Sequence, residues 1–378
     1  MLRLSSANLL RFAFALQPVV LGCWLPHIPI VQHNLGIGPA TLALALLGMP
    51  VGTLLALPLA GRIVSALGAR RTVLWFYVVF FCLMPLPAFS GGVQSLFISL
   101  ALAGAAMAVL ELGLNVLAVQ TEKSSGRLLM SACHGFWSLG LMAGGALGAS
   151  LAAYGSPVHI NVTAAAATVF PFALACALAL PADQAGAEQA GPAAGTRNWL
   201  STDLVLISLF AFGVTLSEGA MSDWSAIYLR DVFGAKDGLS GIGFVVFAAM
   251  VAAGRLAGDT MRMRLGAVTS ARICGAAALA GLALALASPV ISLTLAGFAM
   301  LGFGVSLGFP IAVTAVAGLG QGNPASNVAV LSFIALLGFL VGPVLIGFVA
   351  EHHGIRAGLS VLAPALLLSL ALTRHLDR

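Results

Sequence analysis

Long apolar runs, each followed by a short polar segment, make up most of the chain. Most runs have about the 20 residues that an α-helix needs to cross the hydrocarbon core of a bilayer. Several contain Pro or Gly, which membrane helices tolerate where neighbouring helices satisfy the freed backbone groups. The pattern therefore predicts an all-α membrane protein with twelve transmembrane helices. The predicted spans are residues 8–31, 39–60, 72–90, 94–121, 130–154, 158–180, 201–229, 239–258, 268–287, 291–316, 325–350 and 356–374.

The distribution of Lys and Arg predicts the orientation of these spans, because cytoplasmic loops carry an excess of basic residues. With both termini in the cytoplasm, all but three of the 17 Lys and Arg residues fall on the inner side. The three on the outer side are Arg230, Lys236 and Arg356. We therefore expect a multi-pass protein in the lipid bilayer of the bacterial inner (plasma) membrane, with both termini cytoplasmic.

The overall composition narrows the functional classes. The chain is 60% hydrophobic and 8% charged, whereas charged residues make up about 25% of an ordinary soluble domain. The net charge of +5 is small and the basic residues lie between apolar runs, so we expect no nucleic-acid partner. The five cysteines lie within or at the edges of apolar runs without a CxxC pair, which favours packing roles over a metal site or a disulfide.

No group of residues has the pattern of an enzyme. A membrane enzyme would need a catalytic cluster, such as paired His and Asp motifs at a membrane face, and the sequence contains none. A nucleotide-binding loop of the GxxxxGK[ST] type is absent as well, so ATP drive within this chain is not expected. We predict no catalytic residue, no metal and no cofactor. A polytopic membrane enzyme and a channel stay as alternatives of other classes.

A polar segment rich in Ala, Gly and Pro, residues 181–200, divides the chain near its middle. We interpret it as a flexible cytoplasmic linker between an N-terminal six-helix half, residues 1–180, and a C-terminal six-helix half, residues 201–378. Short motifs recur in the two halves in the same order, such as Gly61-Arg62 and Gly254-Arg255, which indicates a duplication. Many carriers are built from two such repeats, with the substrate between them near the bilayer midplane. We expect the chain to act as a monomer.

The segment GRIVSALGARR, which begins at Gly61, resembles the signature loop of the major facilitator superfamily, G-x-L-a-D-r-x-G-r-[RK]. Ser65 replaces the usual Asp, and a second copy from Gly254 keeps an acid one position late, at Asp259. The resemblance covers the whole chain and implies the fold of that superfamily, with both loops taking part in its conformational change. The loop residues it points to are Gly61, Arg62, Gly68, Arg70, Arg71, Gly254, Arg255 and Asp259.

A narrower resemblance is to the MosC/YbjJ-like branch of this superfamily, near which lie the alphaproteobacterial riboflavin and copper importers. It rests on GCWLPHIP at residues 22–29, on the hairpin between the fourth and fifth spans, and on EGAMSDW at residues 218–224. The copper importers are associated with Met-xxx-Met and His-xxx-Met pairs in their seventh and eighth spans, whereas here Met221 is followed at i+4 by Ser225. The fifth span also lacks the Gly-Pro typical of drug/proton antiporters.

These observations predict a secondary active transporter that moves a small organic solute by alternating access. Riboflavin uptake is the first hypothesis, a sugar-like or rhizopine-like solute is the second, and drug efflux is the third. The proton is a candidate coupling ion, and both the direction of transport and the coupling stay open at this point.

Charged and polar side chains within the spans indicate the site, because such residues are rare in membranes and normally face a protein-lined interior. Glu111 and Asn115 lie four residues apart and share one face of the fourth span, and His134 and Trp137 share a face of the fifth. Helix packing is the alternative role for each. The expected solute contacts are Trp24, Glu111, Asn115, His134, Trp137 and Glu218, and the candidates for proton coupling are Glu111, His134, Glu218 and Asp223.

Three tryptophans gain a role from the resemblance. In the superfamily's architecture the first, fifth and seventh helices border the central cavity, so the resemblance places Trp24, Trp137 and Trp224 near it. Aromatic rings of this kind can stack on a flat solute. A place in the interfacial aromatic belt is the alternative, and it suits Trp224 best.

Glycines recur every four residues along two spans. Gly140, Gly144 and Gly148 line one face of the fifth span, and Gly338 and Gly342 do so in the eleventh. Such faces let helices approach closely. This is compatible both with plain tight packing and with one half of a carrier rocking against the other.

Overall fold

The structure, a computed structural model, describes residues 5–126, 129–181, 201–319 and 324–377. These residues form α-helices and short 3₁₀ turns and contain no strand. In chain order the α-helices are α1 (Ser6–Trp24), α2 (Ile28–Leu35), α3 (Pro39–Leu46), α4 (Gly48–Leu67), α5 (Ala69–Leu83), α6 (Val93–Ser125), α7 (Met130–Ala153), α8 (Val158–Ala179), α9 (Thr202–Phe233), α10 (Asp237–Leu265), α11 (Ala267–Ala287), α12 (Ile291–Val305), α13 (Gly308–Ala317), α14 (Pro324–Ser360) and α15 (Leu362–Leu372). The 3₁₀ turns are Leu25–His27, Leu86–Phe89 and Thr373–Leu376.

Eleven segments of the described chain are long and apolar enough to cross a membrane. The last of them, Ser326–Leu376, has 51 residues, which is about 76 Å of helix at 1.5 Å per residue and more than twice the roughly 30 Å of a bilayer core. Gly354, with φ 78° and ψ 165°, interrupts the helical backbone within it, so this segment holds two crossings. The prediction of an all-α membrane protein with twelve transmembrane helices is confirmed.

The chain divides into two compact units. The first contains Met1–Ala187 and Ala235–Ala248, and the second contains Glu188–Gly234 and Ala249–Arg378. The first six spans therefore fall in the first unit, together with the beginning of α10. Residues 182–200 of the expected linker lie outside the described residues, and the boundaries expected at 180 and 201 stay a prediction.

Within the first unit, α1 packs against α7 along the glycine face expected for the fifth span. A Cβ added at Gly144 would overlap the carbonyl oxygen of Val19 on α1, and Gly140 and Gly148 meet α1 in the same way. Only a residue without a side chain permits this separation, so the predicted close approach is confirmed. Because α6 contacts both α1 and α7, polar side chains on the three helices come within reach of one another.

Within the second unit, α9 and α14 make a contact of the same kind. A Cβ added at Gly342 would lie 2.6 Å from the carbonyl oxygen of Leu216, and one at Gly338 would meet Thr215. The Thr215 hydroxyl also donates to the carbonyl oxygen of Ala335 over 2.7 Å. The glycine face expected for the eleventh span is thus a helix contact too.

The two signature segments are more helical than the sequence suggested. Residues 61–67 belong to α4 and residues 254–265 belong to α10, so each expected loop shrinks to one glycine. Gly68 has φ 81° and ψ 153°, and Gly266 has φ 79° and ψ 168°. Positive φ is accessible to glycine without a steric cost, so one residue ends one helix and begins the next. The identical conformation at both places agrees with a duplicated chain.

Candidate functional site

Three helices of the first unit meet at one carboxylate. Trp137 Nε1 on α7 donates to Glu111 Oε1 on α6 over 3.0 Å. Gln17 Nε2 on α1 donates to the same oxygen over 3.4 Å. The structure therefore brings two of the expected site residues together and adds a third that the sequence analysis missed.

Gln17 had a signal in the sequence that could have been used. It is a lone amide within the apolar run of the first span, and its side chain is 0% exposed. An amide inside a membrane helix normally bonds to a neighbouring helix, which is what the contact with Glu111 shows. Its partner could not be chosen from the sequence, because Gln17 and Glu111 lie 94 residues apart.

The ends of α6 and α7 are tied together near this site. Glu122, in the last turn of α6, accepts from the backbone N–H groups of Leu129 and Met130 at the start of α7, the second over 2.8 Å. A carboxylate is favourable at a helix N-terminus, where the backbone N–H groups lack helical partners. The contact fixes the hairpin that carries Glu111 on one arm and Trp137 on the other.

Two acceptor oxygens of the site have no hydrogen-bond partner among the described residues. They are Gln17 Oε1 and Asn115 Oδ1, both shielded from solvent. Asn115 lies one turn after Glu111 on the same face of α6, as its spacing predicted. The structure thus places Asn115 beside the acid without a hydrogen bond that explains its amide oxygen.

His134 lies one turn before Trp137 on α7 and is exposed. Its ring packs edge-on against Phe14 of α1, with 5.5 Å between the ring centroids. It is accessible in the structure, but no hydrogen bond joins it to Glu111 among the contacts of the described residues. Its expected role in solute binding or proton transfer stays a prediction.

Trp24 and Trp224 differ from Trp137 in their surroundings. Trp24 is 2% exposed and Trp224 is 0% exposed, so neither ring faces a space that a solute could occupy in this structure. For Trp24 the reason is that every residue from 20 to 29, in the last part of α1, the 3₁₀ turn and the start of α2, is buried. The expected tryptophan wall is therefore reduced here to the half-buried ring of Trp137.

The C-terminal end of α1 is held by a histidine. Pro26 lies in the 3₁₀ turn that ends α1, and His27 Nδ1 donates to the carbonyl oxygen of Cys23 over 2.7 Å. Its Nε2 therefore accepts from Asn161 Nδ2 on α8, over 2.9 Å. His27 is 0% exposed and both of its ring nitrogens are satisfied, so it has a structural role here.

The second unit holds its buried acid differently. Arg255 Nη2 on α10 donates to both oxygens of Glu218 on α9, over 2.8 and 3.1 Å. The two side chains are 17% and 11% exposed. Glu218 was expected as a solute contact and Arg255 as part of a loop, and no sequence pattern paired them. Asp223 lies five residues after Glu218, about 140° further round the helix, and so on another face of α9.

The remaining signature residues lie at helix ends. Gly61, Arg62, Arg71 and Asp259 are exposed. Arg70 Nη2 donates to the carbonyl oxygen of Leu178 at the end of α8, over 2.5 Å, and so ties α5 to α8. In the described part of the chain, neither a hydrogen bond nor an ion pair joins these residues to Glu111.

The part of the chain that the structure describes contains no group of three or more His, Cys, Asp or Glu side chains that could hold a metal ion. All five cysteines are free, and four of them are buried.

The comparisons with known proteins agree with one another. The Major Facilitator Superfamily model matches residues 10–317. The chain is similar to an uncharacterised MFS-type transporter of Yersinia pestis, with 32% identity over 97% of this chain and 95% of that protein. It is also similar to the membrane protein MosC of Rhizobium meliloti, with 29% identity over 95% of this chain and 88% of that protein. The expected resemblance to the superfamily and to its MosC-like members is confirmed.

Among solved structures, a mutant of the nucleoside transporter NupG has a TM-score of 0.78 and 15% identity to this chain. The alignment covers 98% of this chain and 99% of that one. At this identity the similarity establishes a shared fold and says nothing about the solute.

Proposed function

The chain belongs to the major facilitator superfamily, and we propose that it takes up riboflavin by alternating access, with Glu111 at the solute site. As a member of this family it is a multi-pass membrane transporter of a small solute, not an enzyme. The observation that carries the proposal is the carboxylate of Glu111, which accepts from the neutral donors Gln17 and Trp137. The inner membrane as location, cytoplasmic termini and a monomeric carrier are parts of the same proposal.

The neutral surroundings of Glu111 support a role in transport. Among the described residues no Lys, Arg or His forms an ion pair with it. A proton or a donor group of the solute can therefore bind to the carboxylate without breaking an ion pair. Because a charge within a membrane helix is costly and is kept mainly for function, this acid is the strongest site candidate in the first unit.

The ring of Trp137 supports a flat solute. Its indole Nε1 is fixed at the acid, so the ring lies beside the group that would hold the solute. Indole faces stack on other aromatic rings, and riboflavin combines a flat ring system with a polar side chain. The resemblance to a branch that lies near riboflavin importers supports the same solute.

The test is uptake of labelled riboflavin by a bacterial riboflavin auxotroph that expresses the chain. We expect saturable uptake above an empty vector, competed by unlabelled flavin. Glu111→Gln should lower it at least tenfold, because the amide keeps the size of the side chain but can neither carry a charge nor exchange a proton. The matched control is Glu351→Gln, which makes the same change at an exposed residue of α14 and should transport normally.

The amount of each variant in the membrane must be measured beside its uptake. Uptake no greater than with the vector, at normal protein level, would exclude riboflavin and leave the family assignment intact. Normal uptake by Glu111→Gln would exclude this acid as the site. Collapse of accumulation by a protonophore in the native protein would support proton coupling.

A sugar-like or rhizopine-like solute is the second candidate. The specific observation in its favour is the pair of unpartnered acceptor oxygens on Gln17 and Asn115, which hydroxyl groups could satisfy. The riboflavin auxotroph cannot test this candidate, which requires binding measurements with hydroxylated compounds that lack a flavin ring.

A further inference from the structure

The unsatisfied atoms around Glu111 are both of one chemical kind. Gln17 Oε1 and Asn115 Oδ1 are hydrogen-bond acceptors, shielded from solvent, without a partner among the described residues. The great majority of buried polar side-chain atoms do have a partner. Two such oxygens beside one intramembrane acid are therefore unusual enough to require an explanation.

The orientation of the Gln17 amide follows from its contact with Glu111. An ionised carboxylate only accepts hydrogen bonds, so with Glu111 ionised the nitrogen of Gln17 must face its Oε1, as it does at 3.4 Å. The amide oxygen is then the atom that points elsewhere. Gln17 is fully buried, so its oxygen cannot obtain a donor from bulk solvent.

Both amide side chains are neighbours of the acid. Asn115 shares the Glu111 face of α6, one turn further along, and Gln17 reaches the same carboxylate from α1. The one indole N–H at this point, that of Trp137, is already used by Glu111 Oε1. The cluster thus offers a carboxylate flanked by amide oxygens.

We propose that this cluster selects a solute that brings its own donors: at least two hydroxyl or N–H groups, on a neutral or cationic molecule. This inference rests on the proposed function, since it takes Glu111 as the solute site. A carboxylate or phosphate on the solute would meet the Glu111 carboxylate, with which no Lys, Arg or His of the described residues forms an ion pair, and two amide oxygens, so we expect anions to bind poorly at this site. Riboflavin fits through the hydroxyl groups of its ribityl chain rather than through its ring alone.

Matched probe compounds distinguish the contribution of the flavin ring to binding from that of the hydroxyl donors. Lumiflavin keeps the isoalloxazine ring of riboflavin and lacks the ribityl hydroxyls, whereas ribitol and myo-inositol have hydroxyls and no ring. Binding is measured as the concentration-dependent rise in melting temperature of the purified full chain, because a ligand that binds only the native state stabilises it. Benzoate serves as the anionic probe.

Three variants test whether the two amide oxygens contribute to binding of the solute. Gln17→Met and Asn115→Leu remove the acceptors at similar volume. Gln120→Met is the control, because Gln120 Oε1 is also buried without a partner but lies nine residues from Glu111, about 180° round α6. Removing an unsatisfied polar group does not destabilise a protein, so the melting temperatures of Asn115→Leu and Gln120→Met without ligand should not fall. Gln17→Met also removes the N–H donor to Glu111, so its melting temperature without ligand should fall, and Asn115→Leu is the cleaner test of an acceptor oxygen.

We expect riboflavin to bind at least tenfold more tightly than lumiflavin. Asn115→Leu and Gln17→Met should each lower the affinity for riboflavin at least fivefold, whereas Gln120→Met should bind riboflavin normally. If riboflavin fails but ribitol or myo-inositol binds and is weakened by Asn115→Leu, the riboflavin proposal is lost and this inference stands. If riboflavin binds and both variants bind it normally, the inference is overturned and the proposed function stands. Binding of benzoate or lumiflavin as tightly as of any hydroxylated probe, or binding of no hydroxylated probe, also overturns it.

Discussion

The two units each bury one glutamate within a long helix, yet the two acids have opposite surroundings. Glu111 on α6 accepts from the neutral side chains of Gln17 and Trp137. Glu218 on α9 forms an ion pair with Arg255, with both carboxylate oxygens engaged. One acid is held by donors that carry no charge, and the other is balanced by a full positive charge.

This difference determines what each acid can do. A proton or a solute donor can join Glu111 without leaving a charge unpaired. A proton on Glu218 would remove the negative partner of this largely buried ion pair, and breaking one side of a buried pair costs about 3–5 kcal/mol. We infer that the first acid is available for exchange, whereas the second joins α9 to α10.

The largest effect should come from breaking that pair. Arg255→Met leaves the Glu218 carboxylate without its cation, and we expect a loss of about 3–5 kcal/mol in the free energy of unfolding. The melting temperature of the purified protein measures this loss. Combining the substitution with Glu218→Leu should recover most of the stability, since the double variant contains no uncompensated charge.

The matched control is Arg62→Met, at the corresponding place in the first unit. Arg62 is exposed, so its replacement should change stability by no more than about 0.5 kcal/mol. An equal loss at both arginines would show that the ion pair is not what distinguishes the second unit.

A smaller effect is expected at the neutral donor of the first unit. Trp137→Phe keeps an aromatic ring and removes the N–H that reaches Glu111. A hydrogen bond to a charged group contributes about 1.5–3 kcal/mol. Its loss leaves the Glu111 carboxylate less well positioned for the solute, so the KM for the transported solute should rise by up to roughly 10-fold. Uptake kinetics in cells or vesicles measure it.

Trp75→Phe is the control for that substitution. Trp75 is 58% exposed, so its replacement should leave the KM unchanged. A normal KM in Trp137→Phe would mean that Glu111 needs no indole donor, and the contrast between the two acids would then rest on Gln17 alone.

Much of the fold followed from the sequence, because span length, loop charge and glycine spacing are local properties. Glu111, Asn115 and Trp137 could be grouped in advance because they lie on adjacent helices joined by one short hairpin. Gln17 and Arg255 could not be paired with their acids. Each comes from a helix whose rotation and height relative to its neighbours depend on packing between spans.

The backbone conformation of the two signature segments could not be predicted from the sequence either. The motif predicted two loops, but Gly68 and Gly266 make each turn alone through positive φ. The resemblance between the segments concealed a difference as well, since Arg62 is exposed and Arg255 is paired. Equivalent positions in a duplicated chain therefore need not have equivalent partners.

The smallest expected effect comes from the glycines that precede the two arginines, Gly61 and Gly254. Their substitution tests whether equivalent positions in the two units have different surroundings. A Cβ at Gly61 would meet nothing within 4 Å, whereas one at Gly254 would lie 2.7 Å from Ser306 Cβ. Both glycines lie within helices, where Ala is favoured by about 1 kcal/mol. Gly61→Ala should therefore raise the free energy of unfolding by up to about 1 kcal/mol, and Gly254→Ala should lower it by about 1–3 kcal/mol through overpacking. Opposite shifts in melting temperature would show that these equivalent glycines have different surroundings in the two units, whereas equal shifts would mean that α10 can move away from Ser306.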